Sequence, residues 1–512
     1  MTHTTPTRVT RSRSTFWIAF AMLFSLSSLW ALASPIFSIP DENAHSAKAV
    51  ALAHGQLFGY ERADSRFIVV DLPPGYEYSP GIVCFAYAPD RDASCGIELG
   101  DPKGTDYFGT WVGAYNPTYY AIVSWPSLIF EGSAGIYAMR IVSAAVGSLI
   151  LALGFVAGFG ASRARWMPAG LAFAASPMVI YFLGSVNPQG FEVACAVTLW
   201  IGLLRLLQLY RGDGDVLVSK RVLWAIVVVG ASGLAVTRAT GPLWLVIVLG
   251  ACLIAAGWQA TKALFTDRGA YVGIGIIAAV GVFSLVWTLT AGGVGGQASE
   301  ADAPLVNGTF LQAAWYMLQG TPVYLEQAIG TFGWLDAVMP STVHAGFFVS
   351  LALITVIALA TAHRRGLLVM LLVLALALLV PIVVQSASVA RTGIIWQGRY
   401  GLFLYLGIPI VAAWLLGLRQ SAKAAFLSFR VTVVSVSTLV VVGIACYVLV
   451  LARYVVGADK PIGDVIKDPQ WQPPLGAVPL IAIFVVVSAA WAAWLILRAR
   501  RLSRAELSIA GD

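Results

Sequence analysis

Twelve apolar runs divide this chain of 512 residues. They lie at about 16–34, 134–160, 167–184, 189–208, 222–238, 242–258, 270–291, 343–361, 366–386, 400–418, 431–453 and 477–497. A helix needs roughly 20 apolar residues to cross the hydrocarbon core of a bilayer. Inside lipid, every backbone N–H and C=O must find a partner within the protein, which limits such runs to helices. Charged residues make up only 11% of the chain and hydrophobic ones 59%, against about 25% charged in a soluble protein. The fold class expected is therefore an all-α polytopic membrane protein with about 12 transmembrane helices. The net charge of +7 does not indicate nucleic acid, because the basic residues cluster between apolar runs. That placement orients a chain in a bilayer.

Counting from a basic cytoplasmic N-terminus at 1–14 puts nearly every basic cluster on one side. Arg163 and Arg165, Lys220 and Arg221, Lys262 and Arg268, Arg364 and Arg365, Arg419, Lys423 and Arg430, and the tail arginines from Arg498 all fall there. Both termini are expected in the cytoplasm of a multi-pass plasma-membrane protein, with the first span retained rather than cleaved. The opposite face receives two long loops, 35–133 and 292–342. The segment 118–131 is short for a span, so an interfacial helix is expected there. If it crossed, a thirteen-span chain would turn every later basic cluster outward. The organisation expected is a main transmembrane unit at 15–420, followed by C-terminal helices and a basic tail at 421–512.

Just beyond the first run stands Ile39-Pro40-Asp41-Glu42-Asn43-Ala44-His45. On a helix starting near Asp41, Asp41 and His45 share a face. Asp41 and Glu42 are candidate catalytic carboxylates, one a general base and the other its partner. With His45 they also suit a divalent metal ion. The plain alternative is a solvated helix start, where acids favour the first turn. Further motifs follow on the same face. They are Asn116-Pro117-Thr118-Tyr119-Tyr120, the turn around Asn187, Arg238 at a span end, Phe332, Trp334 and Asp336 in a late loop, and Gln397-Gly398-Arg399-Tyr400 before the tenth run. Each has a plain reading taken alone: a turn at Asn187, a snorkelling arginine at 238 or 399, belt aromatics at 332 and 334. Their convergence on one face is what those readings leave unexplained. Asp41, Asn187, Arg238, Asp336 and Arg399 are expected to line one cavity there. Three of the five cysteines lie in apolar runs. Cys84 and Cys95 sit in the first long loop and are expected to pair in an oxidising compartment. Arg140, Glu192 and Arg205 lie at membrane depth, where charge is costly, so each needs a partner or a cavity.

Taken together, IPDENAH, NPTYY, SVNPQG, GTFGWLD and QGRY resemble a bacterial membrane family of unknown function grouped with the GT-C glycosyltransferase superfamily. The resemblance runs from about residue 15 to 420. It implies a GT-C-like fold, with short interfacial helices in the first extracytoplasmic loop. It also implies a glycosyltransferase using a polyprenyl-phosphate-linked sugar, with a cell-envelope glycan or glycolipid as acceptor and membrane lipid around it. Asp41 and Glu42 match the superfamily's first acidic motif. The place of a second acid is taken by Asn187, with Gln189 and Glu192 nearby, which weakens the case for a two-carboxylate metal site. In a transferase, Arg399 and Arg238 would clamp the phosphate, and Phe332, Trp334 and Tyr400 would stack on sugar or lipid. His45, Asn116, Asn187, Asp336 and Gln397 complete the expected substrate-binding set. The rival readings are an envelope lipid or glycan transporter, for which matching broken spans in two halves are missing, and a non-catalytic assembly protein.

Overall fold

The computed structural model describes residues 7–212, 216–291, 303–418 and 422–510. Arg419, one of the basic residues used above, and residues 292–302 of the second long loop lie outside the described residues.

The chain opens with helix α1 (Thr7–Ala33) and turns at Pro35 into α2 (Glu42–Ala53). The first long loop is ordered. Strand β1 (Ile68–Asp71) pairs antiparallel with β2 (Tyr107–Thr110), Ile68 opposite Thr110. Cys84 and Cys95 form a disulfide across the excursion between the strands. The loop closes with α3 (Thr118–Val123) and a single helical turn at Trp125–Leu128. At about 1.5 Å per residue, α3 is far too short to cross a membrane, which removes the thirteen-span alternative.

The bundle follows as α4 (Gly132–Phe159), α5 (Met167–Ala172), α6 (Pro177–Leu183), α7 (Pro188–Tyr210), α8 (Lys220–Val236), α9 (Gly241–Ala256), α10 (Trp258–Thr266) and α11 (Ala270–Thr290). Then come α12 (Phe310–Gly330), the small hairpin β3 (Thr331–Phe332) and β4 (Ala337–Val338), α13 (Ser341–Thr361) and α14 (Arg364–Thr392). The chain ends with α15 (Leu402–Tyr405), α16 (Gly407–Gly417), α17 (Ala422–Val456), α18 (Asp464–Lys467) and α19 (Ala477–Ala510).

Among the described residues nine helices are long and apolar enough to span, or ten if the α9–α10 pair, bent by 114°, is one broken span. Three of the twelve apolar runs give no helix of that length, and one of them is 242–258, where α9 has 16 residues. The run 167–184 is broken: Ser176 is extended and Pro177 starts a new helix, because proline supplies no N–H to continue the ladder. Every residue of α5 and α6 is buried within protein, the setting in which irregular backbone is tolerated at membrane depth. The run 222–238 yields α8, of only 17 residues. The structure adds one long helix that the sequence count lacked. α12 occupies 21 residues of the expected second loop. The chain entering α12 and the last turns of the helix are both tied to the stretch from α14 onward. Asn307 N–H donates to the Ala390 carbonyl at 3.2 Å, and Gln327 Oε1 accepts from Gly398 N–H at 2.9 Å.

α7 is the axis. It is buried almost throughout and packs against α4, α8, α9 and α16. A helix apolar all round belongs inside a larger bundle. α11 is its opposite, with little of its surface covered by protein. α17 packs on α19 and α13, and α19 on α1, so the C-terminal helices are joined to the main unit by extensive packing.

Candidate functional site

The two adjacent acids have different fates because of the backbone between them. Asp41 has φ 64° and ψ 1°, the left-handed region. That conformation costs a non-glycine residue on the order of 1 kcal/mol or more, and Asp is among the few that tolerate it. It turns the chain sharply into α2, so Asp41 and Glu42 meet different neighbours.

Glu42 is completely buried. Arg140 of α4 donates to Glu42 Oε1 through Nε at 2.8 Å and to Oε2 through Nη2. Val186 N–H donates to Glu42 Oε1 at 3.0 Å. The rest of the Arg140 guanidinium donates to the carbonyls of Ala31, Ser34 and Pro35. This pairing joins α1, α2, α4 and the α6–α7 turn. It is a closed, charge-compensated knot, and the Glu42 carboxylate has both oxygens engaged.

Asp41 is more open, with 23% of its side chain exposed, and pairs with Arg399 Nη2. Arg399 sits in the single helical turn Gly398–Gly401. Gly398 is required there: a Cβ at that position would stand 1.8 Å from the Tyr324 carbonyl oxygen of α12. The same guanidinium lies 5.1 Å over the Tyr400 ring, and its Nε has no hydrogen-bond partner. Asn187 caps α7, accepting from Gln189 N–H at 3.0 Å, and its Nδ2 donates to the Pro40 carbonyl at 3.0 Å. Gln189 Nε2 donates to the Arg399 carbonyl at 2.6 Å. Arg238 lies within 3.5 Å of Asn187 Oδ1 and 3.4 Å of Gln189 Oε1, and 5.3 Å over the Tyr400 ring. Asp41, Asn187, Arg238, Arg399 and Tyr400 thus form one cluster, drawn from four segments of the chain.

Beside the cluster opens a cavity of about 310 Å³ lined by Tyr115, Glu192, Arg238, Trp244, Trp396 and Tyr400, among others. His45 is buried one turn along α2 from Asp41. Its Nδ1 lies 2.8 Å from the Tyr120 hydroxyl. Burial, with Arg238 and Arg399 nearby, holds its pKa well below the usual 6.5, so the ring is neutral at pH 7. Burial likewise pushes the Tyr115 hydroxyl up to about 12. Just ahead of α3, Asn116 Oδ1 accepts from the Thr118 N–H and hydroxyl. Gln397 precedes the arginine turn, with Oε1 buried and unpaired. A divalent ion does not fit the expected donor set. Glu42 has both oxygens engaged by Arg140, His45 Nδ1 lies against the Tyr120 hydroxyl, and no group of three His, Cys, Asp or Glu side chains gathers among the described residues.

Phe332, Trp334 and Asp336 stand apart from the cluster. Phe332 is fully buried, stacked on Trp30 at 5.3 Å. Trp334 Nε1 donates to the Phe37 carbonyl at 3.0 Å, and Asp336 Oδ2 accepts from Arg453 Nη2 at 2.8 Å. Arg453 also donates to the carbonyls of Phe85, Ala88 and Arg91 in the disulfide loop. The hairpin therefore clamps the first loop and braces the turn leading to Asp41. Of the five residues expected to line one cavity, Arg238 alone lines the cavity described above; Asp41, Asn187 and Arg399 join it in the cluster, and Asp336 pairs with Arg453 instead. Aromatic and acidic residues in a loop signal order; only packing assigns them to a brace.

In the sequence, Arg140 and Glu192 carry one signal, charge at membrane depth, and it names no partner. Gln189 reads there as a turn residue, and Arg453 as the end of a span.

Long apolar helices around a buried polar cluster define a multi-spanning membrane protein. The particular family is shown by residues 23–408, which match the model of a family described as predicted membrane protein (DUF2142); the chain belongs to that family. No curated protein matches. Among solved structures, ArnT from Cupriavidus metallidurans in the apo state is similar over 93% of this chain and 75% of that one, with 12% sequence identity and a TM-score of 0.42.

Proposed function

We propose that this protein is a membrane glycosyltransferase of the GT-C type, moving a sugar from a polyprenyl-phosphate donor to a cell-envelope glycan or lipid. The observation that carries the reading is the Asp41–Arg399 pair, held by a strained backbone at Asp41 and set beside Arg238 and a cavity. The motif resemblance supports the same class.

In the transfer, the bond between the sugar's anomeric carbon and the phosphate oxygen breaks. Its electron pair leaves with polyprenyl phosphate. The acceptor hydroxyl oxygen forms the new bond to the anomeric carbon, and its proton passes to Asp41. Arg399 and Arg238 supply fixed positive charge for the departing phosphate, the kind of preorganised stabilisation that contributes most in such chemistry. An arriving phosphate competes with Asp41 for Arg399, which frees the carboxylate to act as base. Glu42 positions the site through Arg140, and His45 packs behind it as a neutral ring.

The basic clusters orient the polar cluster and the long loops away from the cytoplasm, with both termini inside. A cysteine placed at Arg364 should resist impermeant thiol reagents added outside the cell; labelling there overturns the orientation. The functional test is the envelope glycan and glycolipid profile of cells carrying Asp41→Asn, with membrane abundance of the protein measured in parallel. A normal profile, in a host where gene deletion alters one glycan, overturns the transferase reading with Asp41 as base.

A further inference from the structure

We infer that Glu192 reads a hydroxyl of the transferred sugar, and that the cavity beside Arg238 holds a polyhydroxylated ring. This rests on the glycosyltransferase reading and adds to it the part of the donor the cavity takes and the residue that selects it.

Glu192 lies near the start of α7, only 2% exposed, and lines the cavity of about 310 Å³. Thr237 and Trp244 lie within hydrogen-bonding reach of its carboxylate and Arg238 adds positive charge, while Oε1 has no hydrogen-bond partner. Trp396 lines the same cavity, 8% exposed, and its Nε1 also has no partner. Buried polar atoms are paired in the great majority of cases, and an unpaired one is costly. Here an acceptor and a donor, both buried and unpaired, belong to residues that line one cavity. Their natural complement is a group that donates and accepts at once, which is a hydroxyl. A phosphate offers Glu192 no proton and repels its charge. The anion is therefore directed to Arg399 and Arg238, and the neutral part of the donor to Glu192. Tyr115, Trp244 and Tyr400 add aromatic faces for the C–H faces of a ring. The volume lies at the lower end for small-molecule sites, so the cavity takes the sugar end of the donor and leaves the polyprenyl chain outside.

The test is calorimetric titration of the purified full-length protein in lipid nanodiscs. The probes are farnesyl phosphate and a panel of farnesyl phosphates carrying one hexose or pentose. The wild type should bind at least one glycosylated probe more tightly than farnesyl phosphate. Glu192→Gln should cut that gain about tenfold or more, the range for a hydrogen bond to a charged acceptor, and leave farnesyl phosphate binding in place. Trp396→Phe keeps an aromatic ring and removes the open N–H. It should cut the gain less, and it serves as the test if Glu192→Gln does not fold. A gain unchanged in both variants overturns the inference. So does a panel in which no sugar improves on farnesyl phosphate. Failure of the wild type to bind farnesyl phosphate at all is a separate outcome, and it overturns the transferase reading together with this one.

Discussion

Asp41 and Glu42 are neighbours in the chain and opposites in the fold. Glu42 is sealed, with its charge matched by Arg140 and its oxygens engaged by the guanidinium and the Val186 N–H. Asp41 is partly exposed, with its partner Arg399 carrying an unpaired Nε. A closed buried pair resists change, because removing one member leaves an uncompensated charge. An open pair beside a cavity can exchange partners. On the proposed reading, the first carboxylate serves the chemistry and the second the architecture.

That contrast can be broken most directly by rate. Asp41→Asn should lower transfer by about 10²–10⁴-fold, the usual range for a lost general base, with thermal stability near that of the wild type. Glycan profiles together with unfolding of the purified protein separate the two effects. Equal losses of stability at Asp41→Asn and Glu42→Gln would end the distinction. On the architectural side, Arg140→Ala should destabilise by about 3–5 kcal/mol, and the protein should fall in abundance in the membrane fraction. The double variant Glu42→Met/Arg140→Met should recover much of that loss, since a buried pair replaced by apolar side chains is often neutral.

The brace around Asp336 sharpens the comparison from outside. Removing the Cys84–Cys95 bond by paired serine substitution should cost about 2–4 kcal/mol, read as a lower unfolding temperature, without the selective loss of transfer expected at Asp41. Arg399→Lys keeps the charge and loses the planar fork. We expect it to weaken farnesyl phosphate binding by roughly tenfold, the scale of one charge-assisted hydrogen bond, and to spare stability.

The smallest effect is a pH slope. His45 has a folded-state pKa well below 6.5. As pH falls through about 6.5 the unfolded chain takes up a proton that the folded protein refuses, so stability falls with pH below that point, by at most about 1.4 kcal/mol per unit. Denaturant titrations between pH 7 and 5 should show this slope, and His45→Gln should flatten it. A slope that His45→Gln leaves unchanged would mean that the ring is reached by solvent in the native state.

Much of this was legible in the chain. Low charge and long apolar runs announce a membrane bundle, since few folds satisfy such segments in lipid. The acid pair, Asn187, Arg238 and Arg399 were each marked by their position at the ends of runs. The run at 167–184 was not legible as a broken element, because hydropathy measures composition and Pro177 acts through backbone geometry. Nor was α12 legible, since its polar residues suit a loop in sequence and a packed helix against α14 in the fold.

Composition and local order were enough to settle the solvent around this protein and the polar residues available at the ends of its helices, because both are properties of short stretches of chain. Long-range packing settled the rest: which arginine each acid meets, that Asp336 pairs with Arg453 in a brace, and that Glu192 is among the residues lining a cavity. Asp41 and Arg399 are 358 positions apart, and no local pattern encodes where such partners come to rest.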